Sequence, residues 1–462
     1  MNISFLGATK YVTGSCYLIQ VGNYKLLLDC GLLQGDQELV KKNFEEFPFD
    51  PASINAVILS HAHLDHSGKL PLLITNGFTG KIFAHPATIN LCGVLLEDAG
   101  YLNERGATWE NIKRQRKGLD LVEPLYTQEQ ARACLRNFEP VPYSSKTDLF
   151  PGVTLRFHDA GHILGSCIIE LDLSENNRTI KLVFSGDLGH AGAPILKDPT
   201  LLTNADMVIM ESTYGDRLHR KWDDTWRELG STIRDAYSEG GNILIPAFTV
   251  GRTQELLYLF NKHFDDWQLK NWKIFLDSPM AIKSTHIYSK YSSIYDVTVR
   301  QDVKDTGNPF NLPNLTMTAS TDASMGINRI QSGAIIIAGS GMCSGGRIKH
   351  HLKHNLWRHQ CNIIIVGFQA RSTPGRLLVD GADWLTLWGE KIKVNANVTT
   401  IGGLSAHADQ QGLINWYSHF KNRPRLVLVH GEPEVQTLLA EKMEDELNVS
   451  PIIAEYKQTI EL

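Results

Sequence analysis

Short apolar runs separated by turn residues recur through the first part of the chain: CYLIQV, YKLLLDCG, INAVILSH, KIFAH, VTLRFHDAGH, KLVFSGD and DMVIMEST. Their length and their Val, Ile and Phe content predict buried strands. Every run except CYLIQV ends in Asp, His or Glu just as the apolar stretch gives out, which is where a rigid scaffold presents chemistry to solvent. After Glu211 the pattern changes. The helical stretches DDTWRELGSTIRDAYSEGG and GRTQELLYLFNKHF alternate with the strand-like NILIPAF, WKIFLDSP, GAIIIAGS and NIIIVGFQA. Such alternation predicts βαβ units and a mainly parallel sheet. The final stretch, with NVTTIGGLSAHAD and RLVLVHGE, returns to the earlier pattern. The prediction is an α/β chain in which one domain interrupts another, divided as 1–210, 211–395 and 396–462.

Composition narrows the class. At 462 residues the chain exceeds one ordinary domain, and 42% hydrophobic with 21% charged residues excludes a mainly disordered or collagen-like chain. A formal net charge of -5 argues against wholesale electrostatic coating of nucleic acid but leaves room for a local basic cleft. The seven cysteines are scattered and form no Cys-x-x-Cys pair, so they read as reduced thiols and predict a cytoplasmic protein. The opening MNISFLGATKYVTG reads as a first strand rather than a secretory leader. The longest apolar runs, GAIIIAG and NIIIVGF, are too short to cross a bilayer, so no membrane partner is expected.

The segment SHAHLDHSG, residues 60–68, places His61, His63, Asp65 and His66 directly after an apolar run. Neutral imidazoles suit zinc, a carboxylate can serve a second ion, and the alternation lets neighbours serve different sites. A solvated His-rich turn is the plain alternative. His162 in DAGHILGS and Asp187 in FSGDLG also end apolar runs and are followed by small residues that let the backbone turn. Either alone would read as a turn residue. Together with residues 61–66 they read as metal ligands, with Asp187 placed to bridge two ions.

The order LLLDCG, SHAHLDHSG, DAGHILGS, FSGDLG resembles the metallo-β-lactamase fold, with Asp29 matching its first motif. Four later segments, ESTYG, PAFTVGRTQEL, SGMCSGGR and SAHAD followed by LVHGE, resemble the β-CASP nucleases within that fold. The resemblance implies a four-layer αββα sandwich interrupted by an inserted α/β β-CASP domain. It implies two zinc ions, with manganese as a substitute, one held by His61, His63, His162 and Asp187, the other by Asp65, His66, His430 and the bridging Asp187. It further implies a hydroxide activated by both ions, with Asp65 orienting that nucleophile and Asp29 buttressing a ligand histidine. His407, braced by Glu211, would protonate the leaving ribose oxygen. RNA-processing members carry histidine at the position of His430, which points to single-stranded RNA as the substrate, cut internally or from the 5′ end.

Two further segments suit a phosphate backbone. Gly251 and Arg252 open a predicted helix, where free N–H groups and the positive dipole end favour an anion. Ser340, Gly341 and Arg347 belong to a Gly/Ser turn leading into a basic helix. Alone, each would read as a Gly-rich turn and a solvated helix face. The run KRQRKG, residues 113–118, reads as solvated helix surface. Two competing functions are a hydrolase of small thioesters or lactones, and a non-catalytic RNA-binding subunit. The first belongs to shorter chains without the stretch 211–395, and the second to chains that have lost ligands. Oligomeric state and membership of an RNA-processing complex leave no mark in the sequence.

Overall fold

A computed structural model describes residues 1–370 and 372–462. The chain forms two compact units, one of residues 1–191, 198–218 and 407–462, the other of 192–197 and 219–406.

The first unit holds two seven-stranded sheets. In one, Thr459–Glu461, Asn2–Phe5, Tyr17–Val21 and Tyr24–Leu28 pair antiparallel, and Ala56–Ile58, Lys81–Ala84 and Phe138–Pro140 continue it in parallel. In the other, Arg178–Phe184 is the switch point. It pairs antiparallel with Cys167–Glu175 and parallel with Met207–Glu211, beyond which lies Arg425–Val429. Alternate residues of both sheets meet in a shared core that includes Phe5, Tyr17, Leu28, Phe157, Ile169, Phe184, Ile209 and Val427. The outward side chains of the second sheet, among them Ile168, Val183, Val208 and Leu428, pack under the helices Gln410–Ser418 and Pro433–Leu447 through Leu413, Trp416 and Leu439. Burial on both faces explains why Met207–Glu211 reads as an apolar run rather than an alternating one. The fold is the αββα metallo-β-lactamase sandwich.

The second unit is built on a six-stranded, all-parallel sheet in the order Leu315–Met317, Lys273–Leu276, Ala334–Ala338, Ile243–Pro246, Asn362–Ile365, Asn397–Thr400. Its helices lie in the crossovers, as parallel pairing requires.

Three segments fall differently from the predicted division. Residues 192–197 join the second unit, where the Ile195 carbonyl accepts from Asp296 N–H at 3.0 Å. Glu211–Leu218 stays with the first unit because Met207–Glu211 is hydrogen-bonded between Arg178–Phe184 and Arg425–Val429. Residues 396–406 stay with the second, because Asn397–Thr400 pairs in parallel with Asn362–Ile365. KRQRKG ends the helix Pro86–Arg116, with Lys113, Arg114 and Arg116 in its last turn. All seven cysteines are free and buried. No helix among the described residues is long and apolar enough to cross a membrane.

Candidate metal centre

The strand Ala56–Ile58 leaves its sheet through Leu59 and Ser60, and the helix Leu64–Ser67 starts one residue after His63. His61 and His63 therefore sit on the bend that joins them, and Asp65 and His66 on the first helical turn. This turn is fastened by backbone bonds to the chain before Tyr17–Val21 and after Tyr24–Leu28: Ser15 N–H to the Asp65 carbonyl at 2.8 Å, Cys30 N–H to that of His66 at 2.8 Å, and Leu32 N–H to that of Leu64 at 2.8 Å. Gly31 lies so close that an added Cβ would meet the Asp65 carbonyl oxygen at 1.6 Å.

Six side chains converge around Asp187. His63 Nδ1 lies 3.1 Å from His61 Nε2 and 3.1 Å from His162 Nε2. Asp187 Oδ2 is 3.4 Å from His61 Nε2 and 3.6 Å from His162 Nε2. Its other oxygen, Oδ1, is 3.4 Å from His66 Nε2 and 3.6 Å from His430 Nδ1. His430 Nε2 lies 3.2 Å from His66 Nε2 and 3.5 Å from Asp65 Oδ2. One carboxylate thus faces two separate imidazole groups, one oxygen to each. The donor atoms of His61, His63, His162 and Asp187, and those of Asp65, His66 and His430, each lie within 4.8 Å of one another.

The chemistry of this set fits cations. Asp187 Oδ1 is buried with no hydrogen-bond partner, an expensive state unless a positive charge completes it. Burial, then the charge of His66, holds His61 well below the ordinary histidine value, and burial also lowers His63, leaving both as neutral imidazoles with lone pairs. Burial works against ionisation of Asp65 and Asp187, yet the histidines outweigh it. His430 and His66 hold Asp65 at about 2, and His430, His66 and His61 hold Asp187 well below its ordinary value. His66 goes the other way. Against burial, Asp187 and Asp29 raise it, and the positive charge they call for there is what a bound cation supplies.

Asp29, expected from the sequence to buttress a ligand histidine, lies against His66. It takes the left-handed backbone conformation at φ 58° and sets Oδ2 2.7 Å from His66 Nδ1. Ser60 fixes that carboxylate, its N–H donating to Oδ1 at 2.7 Å and its hydroxyl to Oδ2 at 2.7 Å. Sequence reasoning did not single out Ser60, nor Thr213, whose hydroxyl lies 3.1 Å from His430 Nδ1. Both stand inside quoted motifs, SHAHLDHSG and ESTYG, and that adjacency was the available signal.

His407 sits beside this cluster. Its backbone bridges to Gly189, and its Nδ1 lies 3.2 Å from both oxygens of Glu211. The Glu211 carboxylate is itself held, accepting from Leu188 N–H at 2.6 Å and Thr213 N–H at 3.3 Å. Burial opposes the charged imidazole, but Glu211 and then Asp187 lift His407 to about 9. Its side chain keeps 20% exposure, so the ring can reach a ligand.

In the second unit the expected phosphate residues are engaged with protein. Gly251, at φ 84°, donates its N–H to Gln254 Oε1 at 2.8 Å. Arg252 is only 6% exposed and bonds the Glu255 carboxylate and the Leu404 carbonyl. Arg347 donates to Asp277 Oδ1 at 2.7 Å, the Thr318 carbonyl at 2.7 Å and the Ala319 carbonyl at 2.8 Å. Ser340 Oγ accepts from Gly345 N–H at 3.1 Å, and the Gly341 carbonyl from Gln369 at 2.9 Å. Arg252 and Arg347 therefore brace their loops, which differs from the expected direct contact with phosphate.

Three family models match the chain: the metallo-β-lactamase superfamily over residues 10–100, the β-CASP domain over 253–378, and the Zn-dependent metallo-hydrolase RNA specificity domain over 391–454. Ribonuclease TTHA0252 of Thermus thermophilus is 38% identical over 94% of this chain and 94% of its own. Transcription termination factor FttA of Methanocaldococcus jannaschii is 31% identical over 94% of this chain and 67% of its own. A solved protein of unknown function from Enterococcus faecalis superposes with a TM-score of 0.57 at 13% identity, covering 100% of this chain and 99% of that one, a likeness of fold alone. With both sheets of the sandwich, the inserted parallel-sheet unit, a metal-ligand cluster and a full-length relative of this similarity, the chain belongs to the β-CASP ribonuclease family of the metallo-β-lactamase fold.

Proposed function

We propose that the chain hydrolyses phosphodiester bonds of single-stranded RNA at this centre. In this reading two divalent cations, zinc before manganese for so histidine-rich a donor set, are held by His61, His63, His162 and Asp187 and by Asp65, His66 and His430, with Asp187 shared. When bound, such a pair supplies Lewis-acid charge for the phosphoryl oxygens and an acidified water as nucleophile. The chain's own residues do the rest. Asp65, ionised and partly exposed, accepts a proton-bearing hydrogen bond at Oδ2 and so aims the attacking water. Asp29 holds the proton on His66 Nδ1, which leaves Nε2 to face the centre.

His407 is the proton donor to the departing ribose oxygen. With Nδ1–H pinned by Glu211, the ring presents Nε2 outward, and the carboxylate keeps it protonated near neutrality. The observation that carries the proposal is this pairing: a histidine with its own fixed carboxylate, placed 3.9 Å from Asp187. A metal site without an acid would suit many hydrolyses, whereas an alkoxide leaving group needs the proton. In the second unit, the turn at Ser340 and Gly341 is the proposed phosphate contact, held in shape by Arg347.

The test is a time course on 5′-labelled single-stranded RNA with and without chelator, alongside the metal content of the same protein. Chelator-sensitive cleavage is expected, and the product ladder separates internal cuts from stepwise removal of nucleotides. Intact RNA in the presence of bound metal would refute the proposal and favour a small thioester or lactone as substrate, or a non-catalytic RNA-binding subunit.

A further inference from the structure

Trp384–Leu387 and Glu390–Lys393 form an antiparallel hairpin in the second unit, with Trp384 opposite Lys393 and Thr386 opposite Lys391. Strand alternation divides it cleanly. Leu385, Leu387 and Ile392 face inward and join the core that contains Leu352 and Leu356. Trp384, Thr386, Lys391 and Lys393 take the opposite face. Two tryptophans are left in solvent, Trp384 at 46% and Trp388 at 55% exposure. Burial would account for neither.

The turn sharpens the question. Trp388 and Gly389 both adopt the left-handed region, at φ 49° and 84°, as a two-residue hairpin turn demands. Asn or Asp is the residue the turn chemistry prefers at the first of these positions, and a bulky aromatic there is an outlier. Such an outlier is a pointer to function when the fold gives no reason for it.

Cations surround both rings. Lys391 Nζ and Lys393 Nζ lie 5.1 and 5.2 Å from the Trp384 centroid, and Lys349 Nζ lies 4.8 Å from that of Trp388. The His350 ring stands 4.4 Å from Trp388. On the helix Ile348–Asn355, Lys349 is followed one turn later by Lys353. Two carboxylates answer the four lysines, Asp383 at 3.4 Å from Lys393 and Glu390 beside Lys353. The patch is thus cationic on a chain whose net charge is -5. Aromatic faces flanked by ammonium groups are the arrangement that takes single-stranded nucleic acid: bases stack on the rings and lysines meet the phosphates.

We infer that this hairpin is a second binding surface for single-stranded RNA, formed by Trp384 and Trp388 with Lys349, Lys391 and Lys393. The choice of RNA among polyanions rests on the ribonuclease proposal. A nucleobase takes the ring face an ammonium now covers, and the ammonium moves to the adjoining phosphate.

The test compares fluorescein-labelled oligouridylate with labelled inorganic polyphosphate by anisotropy on ice, with probe integrity checked on a gel. Replacing both tryptophans, Trp384→Ala with Trp388→Ala, is expected to weaken oligouridylate binding about tenfold or more while sparing polyphosphate, since stacking needs a base. Trp384→Phe with Trp388→Phe recovers most of that loss, which separates stacking from misfolding. Lys391→Gln with Lys393→Gln weakens both probes and reduces the salt slope by about 0.7 per lysine. Unchanged oligouridylate affinity in the alanine variant, or an equal loss for both probes, overturns the inference. So does a wild-type mass in light scattering that falls on tryptophan replacement, since the surface would then be occupied by a second copy. Hairpin-dependent RNA binding without chelator-sensitive cleavage leaves this surface standing and removes the ribonuclease proposal; cleavage with hairpin-independent binding does the reverse.

Discussion

Glu211→Gln isolates the acid from the metals. The side chain is fully buried, and a glutamine of the same shape keeps one oxygen to accept from Leu188 N–H but turns an amide towards His407 and Thr213. Coulomb's law at 3.2 Å, with an effective dielectric of about 20, puts the lost attraction at about 5 kcal/mol as an upper bound. Resolvation and the retained amide dipole offset most of this. A fall of about one to two pH units in the His407 pKa, about 1.4–2.7 kcal/mol, is what we expect. The sign follows from His407 acting in its protonated form. That form is present below its pKa and lost as pH rises through it, so lowering the pKa moves the alkaline limb of kcat/KM to lower pH. Cations near Asp187 lower the parent value from about 9 and act alike on the variant, which leaves the difference between the two as the quantity read. The assay is a pH–rate profile on single-stranded RNA, with metal content measured on each preparation. An alkaline limb that stays in place while metal content is matched would refute the assignment of His407 as an acid braced by Glu211.

Asp29→Asn removes the charge that orients His66 through the 2.7 Å contact, and metal affinity is expected to fall about 10–100-fold in competition with a chelator, with the fold intact. Gly31→Ala drives a methyl group into the Asp65 carbonyl, which lies at 1.6 Å from the added Cβ, so the ligand turn must move; expect weaker metal binding and a lower thermal midpoint, read by metal titration and circular dichroism. Asp277→Ala strands the buried His351 and the guanidinium of Arg347, and should lower the stability of the second unit by about 3–5 kcal/mol in urea unfolding. Burial opposes ionisation of Asp277, but His351, Ser324, Thr318 and Arg347 hold its carboxyl at about 2. Its contribution is therefore full above the ordinary carboxyl value and lost as pH falls through about 2, and the alanine variant should lack that part of the acid transition.

The residues of the donor cluster are legible because each stands where an apolar run ends, and a strand end is a local event that sequence records. The pairing of strands is not local. Ser212 donates its hydroxyl to the Val429 carbonyl, 217 residues away, and that register is what keeps Glu211 in the first unit although the apolar pattern changes just after it. Asn397–Thr400 falls on the other side of the predicted division for the same reason, since nothing in NVTTIGG names Asn362–Ile365 as its neighbour. Arginines suffer most. Arg347 beside glycines looks like a phosphate ligand until Asp277, 70 residues earlier, is found to accept from it at 2.7 Å. The backbone around SGMCSGGR was readable, whereas the use of its cation was not.

His407 and Asp187 are held by one short piece of chain. Asp187 opens it, Leu188 donates its N–H to Glu211 at 2.6 Å and accepts from Ala408 N–H at 2.8 Å, and Gly189 bridges to His407. Gly189 also donates to the Ala160 carbonyl at 2.7 Å, and an added Cβ there would meet the Gly161 carbonyl oxygen at 2.0 Å, so the same segment abuts the loop that presents His162. The spacing between the proposed metal ligands and the proposed proton donor is consequently set by backbone packing, before any cation arrives. Preorganisation of this kind lowers the reorganisation needed in the transition state, because donor and ligands do not have to find each other. It also means that substitutions at Asp187 and Glu211 act on a shared element, and their effects on cleavage will not add as those of distant sites do.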